Sequence, residues 1–205
     1  MLKYCRTYNK LNGELTPKTS QGLYLCCPKM DDTDSISDLI QKLDQAQKSE
    51  VPTILKGLRL QKKDFENFAS WCEGDYTRNC VHRTEKYELI LLCWAANCVT
   101  PIHDHGGQDC WVYQIEGELT ERRFEKNEEG ELVETRKMTL KPQGLTYMED
   151  KMGYHQLCNE NNERGYTLHL YASPIDECDV FNEETNTFET KEMCYDTCPE
   201  ELVGV

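Results

Sequence analysis

Four of the five histidines, His103, His105, His155 and His169, fall in or beside short β-like runs of the sequence. His103-Asp104-His105 sets two imidazoles at i and i+2, which on an extended strand project from one face and can chelate one ion. His155 lies on a later run, His155-Gln156-Leu157-Cys158-Asn159, and closes a three-imidazole set if that strand lies beside the first. Three neutral nitrogen donors suit a divalent first-row metal and leave coordination positions open, whereas a structural zinc site is filled by four ligands. On ligand type alone iron, copper, nickel and zinc all qualify. By the strand period Asp104 points to the opposite face and is expected to be solvated; neither it nor Asp109 is expected as a fourth ligand.

Further candidates sit on the neighbouring runs. Thr167, His169 and Tyr171 alternate with Leu168 and Leu170, so a hydroxyl, an imidazole and a phenol share one strand face and can pass hydrogen bonds along it. Arg78 on its own would be a surface guanidinium paired with Asp75, and Tyr76 and Cys110 on their own would be packing residues.

The elements that must position these groups divide the chain in two. Ile36, Leu39, Ile40 and Leu43 follow the i, i+3, i+4, i+7 series after the cap candidates Asp32 to Ser35. Asp64 is expected to cap a second helix through Phe65, Phe68 and Trp71, with a shorter turn at Ile54, Leu55 and Leu58 after Pro52. Beyond Gly74 come strand-like runs at 87–94, 110–115, 118–124, 132–140, 145–148, 155–159 and 166–171. Glu116-Gly117 and Asn127-Glu128-Glu129-Gly130 are read as hairpin turns. The expectation is one domain with an all-β core, a jelly-roll β-barrel, under an N-terminal helical cap: 1–73 mainly helical, 74–178 the barrel and metal site, 179–205 a tail of little pattern that wraps the surface.

Composition narrows the function. The 205 residues carry 23 Lys and Arg against 37 Asp and Glu, a formal net charge of −14, which disfavours nucleic acid and anionic membrane as partners. The longest nearly apolar run, Leu89 to Ala96, is far short of the ~20 residues of a spanning helix. The polar residues following Lys3 and Arg6 do not read as a secretory signal, so a cytoplasmic protein is expected. Twelve cysteines, adjacent at Cys26-Cys27 and spaced CxxxC at Cys194 and Cys198, never form a CxxC pair and are expected to be mostly reduced.

His103-x-His105, four residues, Cys110, six residues and Gly117 resembles the first cupin motif, with cysteine where many cupins place a glutamate ligand. Pro142-x-Gly144 followed by His155-x-x-x-Asn159 resembles the second. Asn97 stands near the place of the usual first glycine, and the gap from Gly144 to His155 is longer than the generic pattern. More specifically, Tyr76-Thr77-Arg78-Asn79, Leu91-Leu92-Cys93-Trp94, Ile102-His103-Asp104-His105, Cys110 and Leu168-His169-Leu170-Tyr171 resemble, in that order, stretches of the cysteine dioxygenases. The resemblance covers roughly Gly74 to Cys178 and extends more faintly into the helical cap.

It implies a cupin fold, Fe(2+) held by His103, His105 and His155, and oxidation of free L-cysteine by O2 to cysteine sulfinic acid. Arg78, with the Tyr76 hydroxyl, would then hold the substrate carboxylate. Thr167, His169 and Tyr171 would form a relay in which Thr167 replaces the family's serine, and Cys110 and Tyr171 would match a pair that members join as a thioether. A monomer acting in cysteine catabolism and taurine biosynthesis is expected. A dioxygenase for 3-mercaptopropionate or cysteamine, or a non-catalytic metal-binding cupin, are the alternatives. Tyr171 is followed by Ala172-Ser173-Pro174 where animal members continue with serine and proline, so the family's cis prolyl bond is not expected. Cys178 matches a cysteine near the pocket mouth and is given no catalytic role.

Overall fold

The computed structural model describes residues 8–11, 14–17 and 32–199; the Cys26-Cys27 pair and the residues around Lys3 and Arg6 lie outside them. The chain divides into two units, residues 1–31 and 32–205. In the first, β1 (Tyr8–Leu11) and β2 (Glu14–Pro17) pair antiparallel, a hairpin that the helical reading of this region did not anticipate.

The second unit opens with three helices. Ser35 caps α1 (Ile36–Gln45) by accepting from the Asp38 amide at 3.1 Å, and Leu39 and Leu43 are buried along the expected face. Pro52 stands in the first turn of α2 (Val51–Lys56), where its missing N–H is no loss. The expected cap at Asp64 is corrected: α3 (Lys62–Phe65) starts after Gln61, and the Asp64 carboxylate accepts from the Gln61 amide at 2.7 Å. Phe65 is fully buried, and Phe68 and Trp71 pack against the same core from outside the helix.

The strands follow: β3 (Tyr76–Arg83), β4 (Glu88–Trp94), β5 (Cys110–Glu116), β6 (Leu119–Lys126), β7 (Leu132–Leu140), β8 (Leu145–Met148), β9 (Tyr154–Cys158), β10 (Gly165–Tyr171), β11 (Glu177–Asn182) and β12 (Thr187–Glu192). They form a five-stranded sheet in the order β3-β4-β10-β5-β8 and a three-stranded sheet β7-β6-β9, a double-sheet jelly roll as expected. Residues 98–104 run as an irregular strand between β9 and β11, with isolated bridges Val99↔Cys158, His103↔His155 and His103↔Val180. These join the β11–β12 hairpin to the smaller sheet.

Both faces of the large sheet are covered, which is why β4 reads as a continuous apolar run. Leu89, Leu91 and Cys93 meet the helices, and Ile90, Leu92 and Trp94 face the barrel interior. On β10 the same alternation sends Tyr166, Leu168 and Leu170 outward and leaves Thr167, His169 and Tyr171 on the inner face.

Three readings are corrected here. Glu116-Gly117 is not a hairpin: β5 pairs with β10 and β8 while β6 pairs with β7 and β9, so Gly117 (φ 81) turns the chain from one sheet to the other. The Asn127–Gly130 turn does join a paired hairpin, β6 and β7. β3 went unread because its residues are mostly polar and a bulge between Cys80 and His82 breaks its alternation. The tail has structure: after the β11–β12 hairpin, residues 194–197 lie along the open edge of β3, with an Asn79↔Thr197 parallel bridge.

Candidate metal centre

His103 and His155 face each other across a backbone pair closed in both directions, His103 N–H to the His155 carbonyl at 3.0 Å and His155 N–H to the His103 carbonyl at 2.9 Å. The second histidine run therefore does lie beside the first. The His103-x-His105 segment is not a regular strand, however. It is a single bridge followed by a turn, in which Gly106 (φ 56) passes so close to the Glu177 carbonyl that a Cβ would collide with it. That turn swings His105 back, and the three ring centroids stand 4.7 Å (His103–His155), 4.6 Å (His105–His155) and 5.6 Å (His103–His105) apart.

One ligand atom from each lies within 4.8 Å of the others. Nitrogens that share one ion at bonds of about 2.1 Å stand roughly 3.0–3.4 Å apart at octahedral or tetrahedral angles. The imidazoles have the chemistry of ligands. Burial, then the nearness of His155, pulls His103 down to about 3, and burial with the neighbouring imidazoles pulls His105 well below its usual value, so both are neutral at working pH. Both nitrogens of His105 and Nε2 of His155 are buried without a protein partner, an arrangement that costs free energy unless something is coordinated there. His103 Nδ1 is engaged by the Pro101 carbonyl at 2.9 Å, which leaves Nε2 for a metal.

Asp104 is corrected from a solvated residue to a tie. Its carboxylate accepts from Gly106 N–H at 3.1 Å and Asp179 N–H at 2.8 Å, fastening the turn to β11. Asp150 does the same from the other side, accepting from the His105 amide at 3.1 Å and from the Gly107 amide.

Behind His155 lies a network that sequence reading missed. His155 Nδ1 donates to Glu121 Oε1 at 3.1 Å; Glu121 also accepts from Thr146 Oγ1 at 2.7 Å and from Arg123 Nε at 3.2 Å. Arg123 bonds Thr146 Oγ1 and the Tyr147 carbonyl, both at 2.8 Å. Burial opposes the Glu121 charge, but His155, Thr146 and Arg123 outweigh it and hold the carboxylate below its ordinary value. Glu121 and Arg123 sit at i and i+2 on β6, the one signal that could have placed both on its inner face. Glu121→Gln keeps the shape and removes the charge, and metal affinity should fall about 10–100-fold while the three imidazoles stay in place. A metal titration checks this, and an unchanged affinity would remove Glu121 from the centre.

The remaining candidates lie on β3, β5 and β10. Thr167 Oγ1 accepts from Trp94 Nε1 and bonds His169 Nε2, each at 2.9 Å, so the expected row of hydrogen bonds begins at Trp94. His169 is not among the three clustered imidazoles; its ring stacks 6.4 Å from that of Tyr171, which in turn stands 5.7 Å from His105. Cys110 and Tyr171 are direct cross-strand partners on β5 and β10, their thiol and phenol within reach of each other, and both are buried. Burial above all keeps the Cys110 thiol and the Tyr171 phenol protonated.

Arg78 does not pair with Asp75. Its Nε donates to the Cys194 carbonyl at 3.2 Å, its guanidinium also reaches Tyr171, and its Nη2 is buried with no partner. Burial opposes that charge, but Tyr171, Tyr76 and Glu88 sustain it. The Tyr76 ring lies 5.3 Å from that of Trp94 on the inner side of β3. Cys178 is buried with its sulfur against Met193 Sδ at 3.7 Å, and no cis peptide bond occurs among the described residues.

A family model described as "Cysteine dioxygenase type I" matches residues 28–184. The cysteine dioxygenase type 1 proteins of Rattus norvegicus and Homo sapiens are each 29% identical over 161 residues, spanning 74% of this chain and 80% of theirs. That of Danio rerio is 27% identical over 173 residues, spanning 79% and 86%. With the match running from the helices through the barrel to the β11–β12 hairpin, the chain belongs to the cysteine dioxygenase type I family of cupins.

Proposed function

We propose that the chain is an iron(II)-dependent dioxygenase that adds both atoms of O2 to the sulfur of free L-cysteine and releases cysteine sulfinic acid. The observation that carries the reading is a cluster of three imidazoles and, against the neighbouring Tyr171, a guanidinium with a partnerless buried nitrogen. Held by His103, His105 and His155, ferrous iron would supply the redox chemistry that joins dioxygen to a coordinated thiolate.

The chain's own residues bind, orient and shield. The Arg78 guanidinium takes the substrate carboxylate through its free Nη2, a charge-assisted bond made in a place poor in water, with the Tyr76 hydroxyl as second donor. That contact turns the thiol and amine of cysteine toward the imidazoles. Tyr171 keeps its proton at the phenol oxygen, because burial disfavours the phenolate, and can donate it to developing charge on the substrate. Thr167 Oγ1 accepts from Trp94 Nε1 and shares a hydrogen bond with His169 Nε2 whose direction follows the imidazole tautomer. Substrates are thus L-cysteine and O2, taken by a cytoplasmic monomer in cysteine catabolism toward taurine.

Oxygen uptake by iron-loaded protein, offered cysteine, cysteamine and 3-mercaptopropionate separately with the sulfur product identified, tests the reading. Cysteine with a sulfinate product is the expected result; preference for either other thiol would reassign the substrate, and no thiol-dependent uptake would leave a metal-binding cupin.

The Cys110–Tyr171 pair carries a second expected result. Cys110 and Tyr171 are cross-strand partners, and loss of the thiol hydrogen and one ring hydrogen, with dioxygen taking up the two electrons and two protons, would join them as a thioether; iron held by the three imidazoles would supply the redox chemistry. After turnover, intact mass should show a species lighter by two hydrogens that reductant does not reverse and that Cys110→Ser lacks. Activity of that variant should drop without vanishing. Peptide mapping that recovers Cys110 wholly as thiol after prolonged turnover would exclude the bond.

A further inference from the structure

The tail segment on the edge of β3 brings two more cysteines together. Asp196 N–H donates to the Arg78 carbonyl at 2.7 Å and Cys80 N–H to the Thr197 carbonyl at 2.9 Å, so the tail runs parallel to β3 with Asn79 beside Thr197. Thr197 Oγ1 donates to Asn79 Oδ1 at 2.8 Å, which puts these two side chains on one face. By the period of an extended chain the next residues, Cys80 and Cys198, share the opposite face, on neighbouring chains that in a sheet stand about 4.8 Å apart. That spacing lies within the Cα separation of about 4.4–6.8 Å that a disulfide spans. Their thiols are within hydrogen-bonding reach of each other, and burial, then Cys198, pushes the Cys80 thiol up to about 12. Cys80 is buried and Cys198 half-buried, so Cys198 is the one that an outside reagent meets.

We infer that Cys80 and Cys198 form a reversible redox-modification site, closed by small disulfides and opened by thiols, that fastens the tail to β3. In closing, the Cys198 thiolate attacks a low-molecular-weight disulfide RSSR and expels one RS⁻. The Cys80 thiol, giving up its proton, then attacks Cys198 in the mixed disulfide and expels the second. The two protein thiols lose two electrons and two protons, and RSSR becomes two RSH. The parallel bridge at Asn79 and Thr197 sets the two cysteines beside each other in register.

What the bond would hold is specific. The fastened segment supplies the Cys194 carbonyl to Arg78 Nε, and its Asp196 brackets Arg78 on both sides, the carboxylate accepting the Arg78 amide at 2.8 Å. Oxidation therefore secures the chain segment that orients this guanidinium. The proposal does not depend on the thiol chemistry proposed above, because the bond and its mechanical effect are read without turnover.

The test equilibrates the full chain, without oxygen, over a series of glutathione to oxidised glutathione ratios, traps free thiols by alkylation and maps the peptides. A Cys80–Cys198 linked peptide that dithiothreitol reverses is expected, with amide exchange at Cys80 and Asp196 slowed about tenfold in the oxidised form. Cys198→Ser should lose both effects while keeping its circular dichroism and melting temperature. Recovery of Cys80 as free thiol at the most oxidising ratio, glutathione retained on Cys198 alone, a Cys194–Cys198 link in its place, or a link with unchanged exchange would each overturn the proposal.

Discussion

Alanine at His155 should leave a folded protein that no longer retains metal and has lost thiol-dependent oxygen uptake by more than about a hundredfold, since removal of only an outer partner of a metal-bound histidine costs about 10–100-fold. The fold should survive because the His103–His155 pairing is made by backbone atoms that alanine keeps, and β9 stays paired to β6. Some stability should go with the imidazole, for Glu121 then keeps Thr146 and Arg123 but loses its histidine. Metal content per chain after loading with ferrous iron, measured beside circular dichroism, checks this. Retention of iron equal to that of the parent protein would mean that the three imidazoles are not the centre.

Arg78→Ala should lower kcat/KM for cysteine about 10–100-fold, the effect of losing a charged hydrogen bond of about 1.5–3 kcal/mol in a site that water enters poorly. Cysteamine has no carboxylate, so its slower turnover should be nearly unchanged. The ratio of the two efficiencies is the informative quantity. Arg78→Lys should recover only part of the loss, because an ammonium cannot reproduce the planar, two-point contact. If both thiols lose equally, Arg78 supports the cavity without reading the carboxylate.

The three clustered histidines were legible because few residue types bind a metal as neutral donors, and His103-x-His105 with a later histidine is visible without knowing the fold. Burial alternation likewise exposed β4 and β10, and with β10 the inner row Thr167, His169 and Tyr171. What stayed hidden was whatever depends on partners distant in the chain. Glu121-Arg122-Arg123 looks like a solvated strand until β9 brings His155 against it. Glu116-Gly117 has the residues of a hairpin, yet its two strands belong to different sheets. The tail contacts of Arg78 join residues more than a hundred positions apart, and no local pattern in Cys194–Thr197 announces them. The family match starts at residue 28 and so takes in the helical cap, where the resemblance is fainter because the helices meet the sheet through packing positions and carry none of the site motifs.

The backbone pairing of His103 with His155 bears on how the barrel assembles as well as on what it holds. Because side chains alternate along an extended chain, a slip of β9 by one residue would turn the imidazole out of the cavity and put Gln156 or Tyr154 in its place. Only one alignment of the two segments brings the three imidazoles together, so an ion held by all three would stabilise that alignment and no other. Metal uptake during refolding would then act as a proofreading step for the smaller sheet, and the loaded fraction would count the molecules whose strands closed in the correct frame.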